Sequence, residues 1–404
     1  MSKHTKRIEE LVVIGGGASG LMSAIMAARN HCSVLVLEHM EQAGKKILVT
    51  GNGKCNLSNT KQGCEYYRGA DPAFVLPALT KFDVNKTIDF FTSIGLYLRE
   101  KNGGYYPCSE EASAVREALL KECERCGVRI AYEVGIRSIQ KEGEIFLIET
   151  KEKTIFAKKC ILATGGYAAK KTGSDGSGFL YLKKLGQPVR PCFPALVALK
   201  IKEPLLCEAA GVRIRATACL YDGKECLAVE KGELQITDYG ISGILIFQLS
   251  RFVNALLSEG KTPRIVLDFL PELSLAEVEE RVEHLLKFGE AKEALKGLLP
   301  AKLSAVIAKS KNIHSAKELA FLIKSYEVTP IGSLGFDKAQ VTAGGVDTAF
   351  VDAKTMESKV VLGLYFCGEI LDIDGMCGGY NLQWAFSSGA VAGKSAAEKV
   401  KNKR

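Results

Sequence analysis

The chain has 404 residues, 47% apolar and 25% charged, with 54 Lys and Arg against 46 Asp and Glu for a formal net charge of +8. That composition is globular; it excludes a disordered or collagen-like chain, and the length points to two or three domains. Much of the surplus charge sits at the ends, in Lys3, Lys6 and Arg7 and in Lys399, Lys401, Lys403 and Arg404. Solvated charge therefore explains it better than a nucleic-acid footprint, and nucleic acid is not the expected partner. The thirteen cysteines follow no recurring frame. A secreted disulfide scaffold would be short and Cys-dense, so reduced thiols and a cytoplasmic location are expected. Cys123 and Cys126 form a C-x-x-C ending the helix-like run 111–127, with no second pair to complete a zinc site, and no metal is expected.

In chain order, residues 11–28 carry no charge and follow basic residues, as a signal peptide or membrane span would. Glu9 and Glu10 stand where a signal peptide wants positive charge, and Gly15, Gly16, Gly17 and Gly20 break the run. The pattern is instead strand, turn and helix, with no membrane partner. Leu11 to Ile14 is a β-branched apolar run suited to a central parallel strand buried on both faces. Gly15 to Gly20 matches G-x-G-x-x-G, and Leu21 to Arg29 reads as a helix. Gly15 permits the tight turn, Gly17 lets the backbone approach a pyrophosphate, and Gly20 lets helix and strand pack closely. The helix N-terminus offers N–H groups and a positive dipole end to phosphates. A second strand, Ser33 to Leu37, ends in Glu38, placed to accept hydrogen bonds from ribose hydroxyls. Together these indicate a Rossmann-like dinucleotide-binding α/β domain.

The next stretch, Gly44 to Asn59, is expected as a loop dense in Gly, Asn and Lys that could present backbone N–H groups to an extended cofactor. Val128 to Ile139 and Ile145 to Glu149 alternate like antiparallel strands, with Thr154 to Ala157 a possible third. Residues 159–166 read as a further strand ending in Thr164-Gly165-Gly166. Beyond Val189-Arg190-Pro191, the runs 196–202, 212–221 and 226–229 suggest a β-barrel or curved sheet. Ser274 to Glu277 is a capping box opening a helix with Val278, Val282, Leu285 and Leu286 on one face, and three more helical runs follow to Ile323. Near the end, Gly363 to Glu369 reads as a strand ending in Gly-acid. Gly378-Gly379-Tyr380-Asn381 leads into a closing helix rich in small residues. A helix starting near Asn381 points its N–H groups at whatever precedes it, which suits the anionic side of a reduced flavin. No second G-x-G-x-x-G offers a dedicated nicotinamide domain.

Gly15 to Gly20, the Gly44 to Asn59 stretch, Ala163 to Gly166, Thr342-Ala343-Gly344-Gly345-Val346 and Gly378 to Gly389 together resemble one bacterial flavoprotein family. It is the NAD(P)/FAD-dependent oxidoreductase family that includes aminoacetone oxidase-like proteins and the bile-acid-inducible flavoprotein reductase. Residues 232–243 also resemble a family stretch. There the family often has His after the Thr and Pro after the last Gly, where this chain has Asp238 and Ile244; a role resting on that His does not carry over.

The resemblance implies a three-part plan: an FAD domain from 1–190 and 341–404, a barrel-like substrate domain 191–270 with its return strand 326–340, and a helical subdomain 271–325. It implies noncovalent FAD, NAD(P)H as donor, and reduction of a conjugated alkene such as a 3-oxo steroid or bile acid. Oxidation of an amine with oxygen is the alternative, and a nucleic-acid-associated flavoprotein a third reading. The expected cofactor contacts are Gly15, Gly17, Ala18, Ser19 and Gly20, then Glu38 and His39, then Lys45, Lys46, Gly51, Asn52, Gly53, Cys55 and Asn56. Val134, Thr164, Gly165, Gly368, Glu369, Gly379, Asn381 and Leu382 complete the set. Tyr380 is the candidate catalytic residue, with Tyr105, Tyr106 or water as other proton sources. Cys55 is expected to be structural, because no second Cys stands at a flavin-disulfide spacing.

Overall fold

A computed structural model describes residues 7–310 and 315–401; Lys3, Lys6, Lys403 and Arg404 lie outside the described residues. The chain divides into two compact units, Met1–Cys192 with Val341–Arg404, and Phe193–Gln340.

The first unit is built on a mixed sheet. Its strands run in the order Arg129–Ala131, Val34–Leu37, Ile8–Ile14, Thr154–Leu162, Ile145–Thr150 and Ile136–Glu142, with Leu364–Phe366 also beside Thr154–Leu162. Pairing is parallel from Arg129–Ala131 through Thr154–Leu162 and on to Leu364–Phe366, and antiparallel among the hairpin strands. Leu11, Val12 and Val13 are fully buried, as a strand covered on both faces requires. The first helix, Ala18–Arg29, lies against the closing helix, Tyr380–Lys401. Their approach is close because Gly389 and Gly393 face it: a Cβ on Gly393 would lie 2.1 Å from the carbonyl oxygen of Ser23.

Two strand expectations are corrected. Val128 to Ile139 is not one strand of a hairpin. Arg129–Ala131 pairs parallel with Val34–Leu37, and only Ile136–Glu142 joins Ile145–Thr150. Alternation is the same in both pieces, so periodicity could not separate them. Thr154 to Ala157 and the run from Lys159 are a single strand that changes partner midway: residues 154–157 pair antiparallel with the hairpin, and 156–162 pair parallel with the first strand.

The second unit holds a seven-stranded antiparallel sheet in the order Tyr326–Val328, Arg264–Asp268, Arg213–Asp222, Glu225–Thr237, Gly240–Ser242, Leu199–Ile201 and Pro330–Ser333. Its two edge strands are consecutive in the chain, separated by Thr329 alone, so one segment bridges both edges and closes the sheet on itself. Helix Leu275–Leu285 starts at the capping box, with Ser274 N–H donating to Glu277 Oε2 at 2.8 Å. Val278 and Val282 bury the face marked by their spacing and share one apolar core with Leu220, Leu267 and Ile323.

Candidate functional site

The glycine turn after the first strand combines three constraints. Gly15 has φ +102°, and a Cβ there would lie 2.5 Å from the carbonyl oxygen of Ala163. A Cβ on Gly20 would lie 1.9 Å from the carbonyl oxygen of Gly15, so helix meets strand backbone to backbone. At Gly17 a Cβ would meet nothing within 4 Å. Gly17 also caps the helix with no side-chain hydrogen bond. The N–H groups of the first turn, from Ala18 on, therefore end at open space where an anion is favoured. Ser19 instead turns inward and donates from Oγ to the carbonyl oxygen of Cys367 at 3.3 Å.

Glu38 is buried at the end of its strand. Its Oε2 accepts from Gly16 N–H at 2.7 Å and its Oε1 from Met40 N–H at 2.8 Å. Val134 N–H donates to the Glu38 carbonyl oxygen at 2.9 Å, which brings Val134 beside the acid, while His39 is exposed.

The Gly44 to Asn59 stretch is more ordered than a loop, which corrects the expectation. It opens with the short helix Lys45–Val49, continues through a 3-10 turn at Thr50–Gly53 and ends in a strand at Ser58–Asn59. The turn is tight because Gly51, Asn52, Gly53 and Cys55 all have φ between +54° and +83°. A cysteine in that region is strained by about 1–3 kcal/mol, held here by complete burial. The same burial pushes its thiol up to about 12. Asn56 donates to the carbonyl oxygen of Ser58 at 2.8 Å and accepts from the Tyr106 hydroxyl at 3.2 Å. A Cβ on Gly379 would lie 2.5 Å from the carbonyl oxygen of Ser58 and 2.7 Å from the Asn56 side-chain amide, so the stretch meets the start of the closing helix.

Glu369 is engaged on both oxygens: Oε2 pairs with Lys46 Nζ at 2.7 Å and Oε1 accepts from Thr342 N–H at 2.9 Å. Lys45 faces away and pairs with Glu41 at 2.8 Å. Thr164 and Gly165 follow the central strand; Gly165 has φ +69°, and the buried Thr164 hydroxyl has no hydrogen-bond partner. Gly368, at φ +76°, donates to Ser388 Oγ at 2.9 Å and accepts from Trp384 Nε1 at 3.2 Å. Asn381 reaches back to the segment before its helix. Its amide brackets Gly375, accepting from the N–H and donating to the carbonyl oxygen, each at 2.8 Å. Leu382 is half-buried beside it.

Tyr380, the candidate proton donor, stands at the start of the closing helix. Its ring is 4% exposed and stacks on Tyr66 with centroids 4.8 Å apart, edge-on to Tyr67. Burial, with Tyr66 and Glu65 alongside, pushes its phenol up to about 12. The ring is a wall of the core. Residues that sequence reasoning did not single out include Ser388, which holds the Gly368 turn. Gln383 is another, fully buried and bonded to Ser58, Thr87 and Ser387. Trp384 is buried in the core, its ring nitrogen donating to the Gly368 carbonyl oxygen.

The cradle fits FAD. An open glycine at an uncapped helix start suits the pyrophosphate, and a buried acid ends the second strand, where this fold accepts ribose hydroxyls. Fold and site together define an FAD-binding Rossmann oxidoreductase. The chain belongs to the HI0933-like family, whose Rossmann-domain description matches residues 9–395. It is 42% identical over 403 residues to a 3-dehydro-bile acid delta(4,6)-reductase of Clostridium scindens, spanning 96% of this chain and 98% of that protein. It is 32% identical over 396 residues to a ribosomal RNA dihydrouridine synthase of Haemophilus influenzae, spanning 94% and 96%. Among solved structures, a 3-ketosteroid delta1-dehydrogenase from Sterolibacterium denitrificans shares the fold with a TM-score of 0.54 at 12% identity, over 96% and 99% of the two chains. A 3-ketosteroid-delta4-(5alpha)-dehydrogenase from Rhodococcus jostii RHA1 gives 0.51 at 17%, over 98% of each. Among the described residues no helix is long and apolar enough to cross a membrane, and no cluster of metal-ligating side chains occurs.

Proposed function

We propose that this FAD-dependent oxidoreductase reduces a carbon–carbon double bond conjugated to a carbonyl, on a steroid-like or bile-acid-like 3-oxo substrate, with NAD(P)H as electron source. The supporting observation is 42% identity along nearly the whole chain to a protein named as a bile-acid reductase. Bound FAD supplies the hydride donor. Conjugation makes the β-carbon electron-poor, so hydride adds there and a proton completes the α-carbon. The chain's own part is to bind and orient: the Gly15 to Gly20 turn at the pyrophosphate, Glu38 at a ribose, and the Gly368 and Thr164 turns along the cofactor. Its cysteines are thiols, not disulfides, and we place it in the cytoplasm on that chemistry.

A second reading rests on relatives named ribosomal RNA dihydrouridine synthases, at 32% and 30% identity. The C5=C6 bond of uracil is also conjugated to a carbonyl, so one reaction class covers both, and only the substrate differs. In two anaerobic arms, enzyme reduced with NADPH or NADH is mixed with a 3-oxo-Δ4 or Δ4,6 bile acid or with ribosomal RNA, and the flavin absorbance is followed; in a separate aerobic arm, oxidised enzyme is given aminoacetone and hydrogen peroxide is measured. Rapid return of the oxidised spectrum with the bile acid is expected. Return with RNA alone would transfer the reading to uridine. Turnover only with amine and oxygen would make the enzyme an oxidase.

A further inference from the structure

The hairpin Arg213–Asp222 and Glu225–Thr237 of the second unit carries two cysteines near its tip. Both are thiols, Cys226 exposed and Cys219 half-buried. Pairing sets Cys219 opposite Val229 and Leu220 opposite Ala228, then slips by one residue, so that Tyr221 faces Cys226. That bulge decides the geometry. In unbroken register Leu227 would stand opposite Tyr221, and Cys226 would turn to the other face of the sheet. With the bulge, Cys219, Tyr221 and Cys226 share one face, and the two thiols are diagonal neighbours joined by a hydrogen bond. The Tyr221 phenol also hydrogen-bonds Cys226, and the Arg264 guanidinium lies over its ring, 4.7 Å from the centroid.

An exposed thiol beside a second, more sheltered one suits oxidation in two steps: the first sulfur meets the oxidant and the second captures the product. We propose that this pair is a site of reversible modification, in which hydrogen peroxide oxidises Cys226 to a sulfenic acid and Cys219 closes a disulfide across the hairpin. The Cys226 thiolate attacks one peroxide oxygen, the O–O bond breaks, and hydroxide leaves to become water. The Cys219 sulfur then displaces the sulfenic oxygen as a second water. Two thiols and one peroxide become one disulfide and two waters, the sulfurs oxidised and the peroxide oxygens reduced. Diagonal neighbours across a sheet stand about 7–8 Å apart at Cα, so closure asks the strands to draw together by about 1 Å. The tip is free to do so. Its flanking strands end at the Tyr221–Arg264 pair on one side and the Gln235–Ser242 pair on the other, and residues 225–227 are exposed. The proposal depends on neither the flavin nor the substrate.

Trypsin cuts after Lys224, which leaves Cys219 in the peptide Ala216–Lys224 and Cys226 in Glu225–Lys231. The reduced full chain is treated with a small molar excess of hydrogen peroxide, its remaining thiols are blocked with iodoacetamide, and the digest is read by mass spectrometry. The two peptides should appear as one linked species that dithiothreitol separates. Cys226 should be consumed about tenfold faster than Cys108, the other exposed thiol. In Cys219→Ser the linked species should vanish, and dimedone should trap a sulfenic acid on Cys226 that it does not trap in the wild type. Absence of the linked species from the wild type, with Cys226 carried on to sulfinic acid, would overturn the proposal. So would equal trapping in wild type and C219S, which would show that Cys219 resolves nothing. Linking at the same rate in urea, where the bulge is lost, would mean that sequence proximity and not the folded hairpin brings the thiols together. The wild-type peptide map, native against urea, decides the question even if the variant does not fold.

Discussion

At the scale of single residues, Glu38 serves the fold and the ligand with one carboxylate. It takes the N–H of Gly16 and of Met40, so Glu38→Ala leaves a buried glycine N–H without an acceptor. Apoprotein stability should drop by about 1–3 kcal/mol in urea unfolding, and FAD binding should weaken more than riboflavin binding, because riboflavin has no adenosine ribose. Equal weakening of both ligands would make the residue purely structural. Cys55 carries the opposite lesson. Its thiol, pushed up to about 12 by burial, stays protonated at ordinary pH, and the thiolate is the nucleophile. Iodoacetamide at about pH 8 should label the exposed Cys108 and Cys226 and spare Cys55. Peptide mass spectrometry showing Cys55 labelled as fast as Cys108 would contradict its burial.

At the scale of elements, the closing helix works through its smallest residues. Gly389 and Gly393 let it approach the first helix until only backbone separates them, with Ser19 and Ser23 carbonyl oxygens 2.6 and 2.1 Å from the Cβ positions. Those atoms are main chain and cannot swing aside. Gly393→Ala gains about 1 kcal/mol in helix propensity, yet the overpacking costs about 1–3 kcal/mol or more. The variant should unfold at lower urea, with weaker FAD binding as the first helix shifts. A midpoint at or above wild type would show that the helices can part. The start of the same helix is anchored by Asn381 on Gly375 and by the stacked Tyr66 and Tyr380, so its first turn is held by side chains as well as by packing.

For the molecule as a whole, buried ionisable groups set a pH window. Burial pushes the Cys55 and Cys367 thiols up to about 12, against an ordinary 9.0. Burial, with neighbouring thiol or carboxylates, does the same for Cys123 and Cys192. Such a thiol keeps its proton in the folded state where the unfolded chain has lost it. Its contribution is therefore complete below about pH 9 and is lost as pH rises toward 12. On the acid side, burial pushes the Glu122 carboxyl up, but hydrogen bonds from Arg125, Cys126 and Arg29 outweigh it and hold the group at about 2. That contribution is present above about 4.5 and is lost as pH falls through 2. Urea midpoints should be flat between these limbs and fall on both sides. The alkaline limb should flatten in a Cys55→Ser, Cys367→Ser double variant, and an unchanged limb there would assign it to other groups.

What the sequence determined alone was whatever depends on near neighbours. The strand, glycine turn and helix at residues 11–29 were legible because the positions of Gly15, Gly17 and Gly20 each answer a constraint within a few residues, and Glu38 follows at strand-plus-helix distance. The capping box at Ser274 was legible for the same reason. The tertiary structure alone decided how distant pieces meet. Lys46 and Glu369 are 323 positions apart, and Thr342 lies 175 positions from Tyr167; their pairing depends on strand order and on how closely two helices cross. A serine or threonine looks the same in sequence whether it faces water or, like Thr342 and Ser388, supports a buried turn. Alternation in residues 128–139 likewise could not reveal two partners, because a pleated strand has the same period in parallel and antiparallel pairing. Side-chain spacing encodes local geometry; the identity of a hydrogen-bond partner is settled only when the chain has folded.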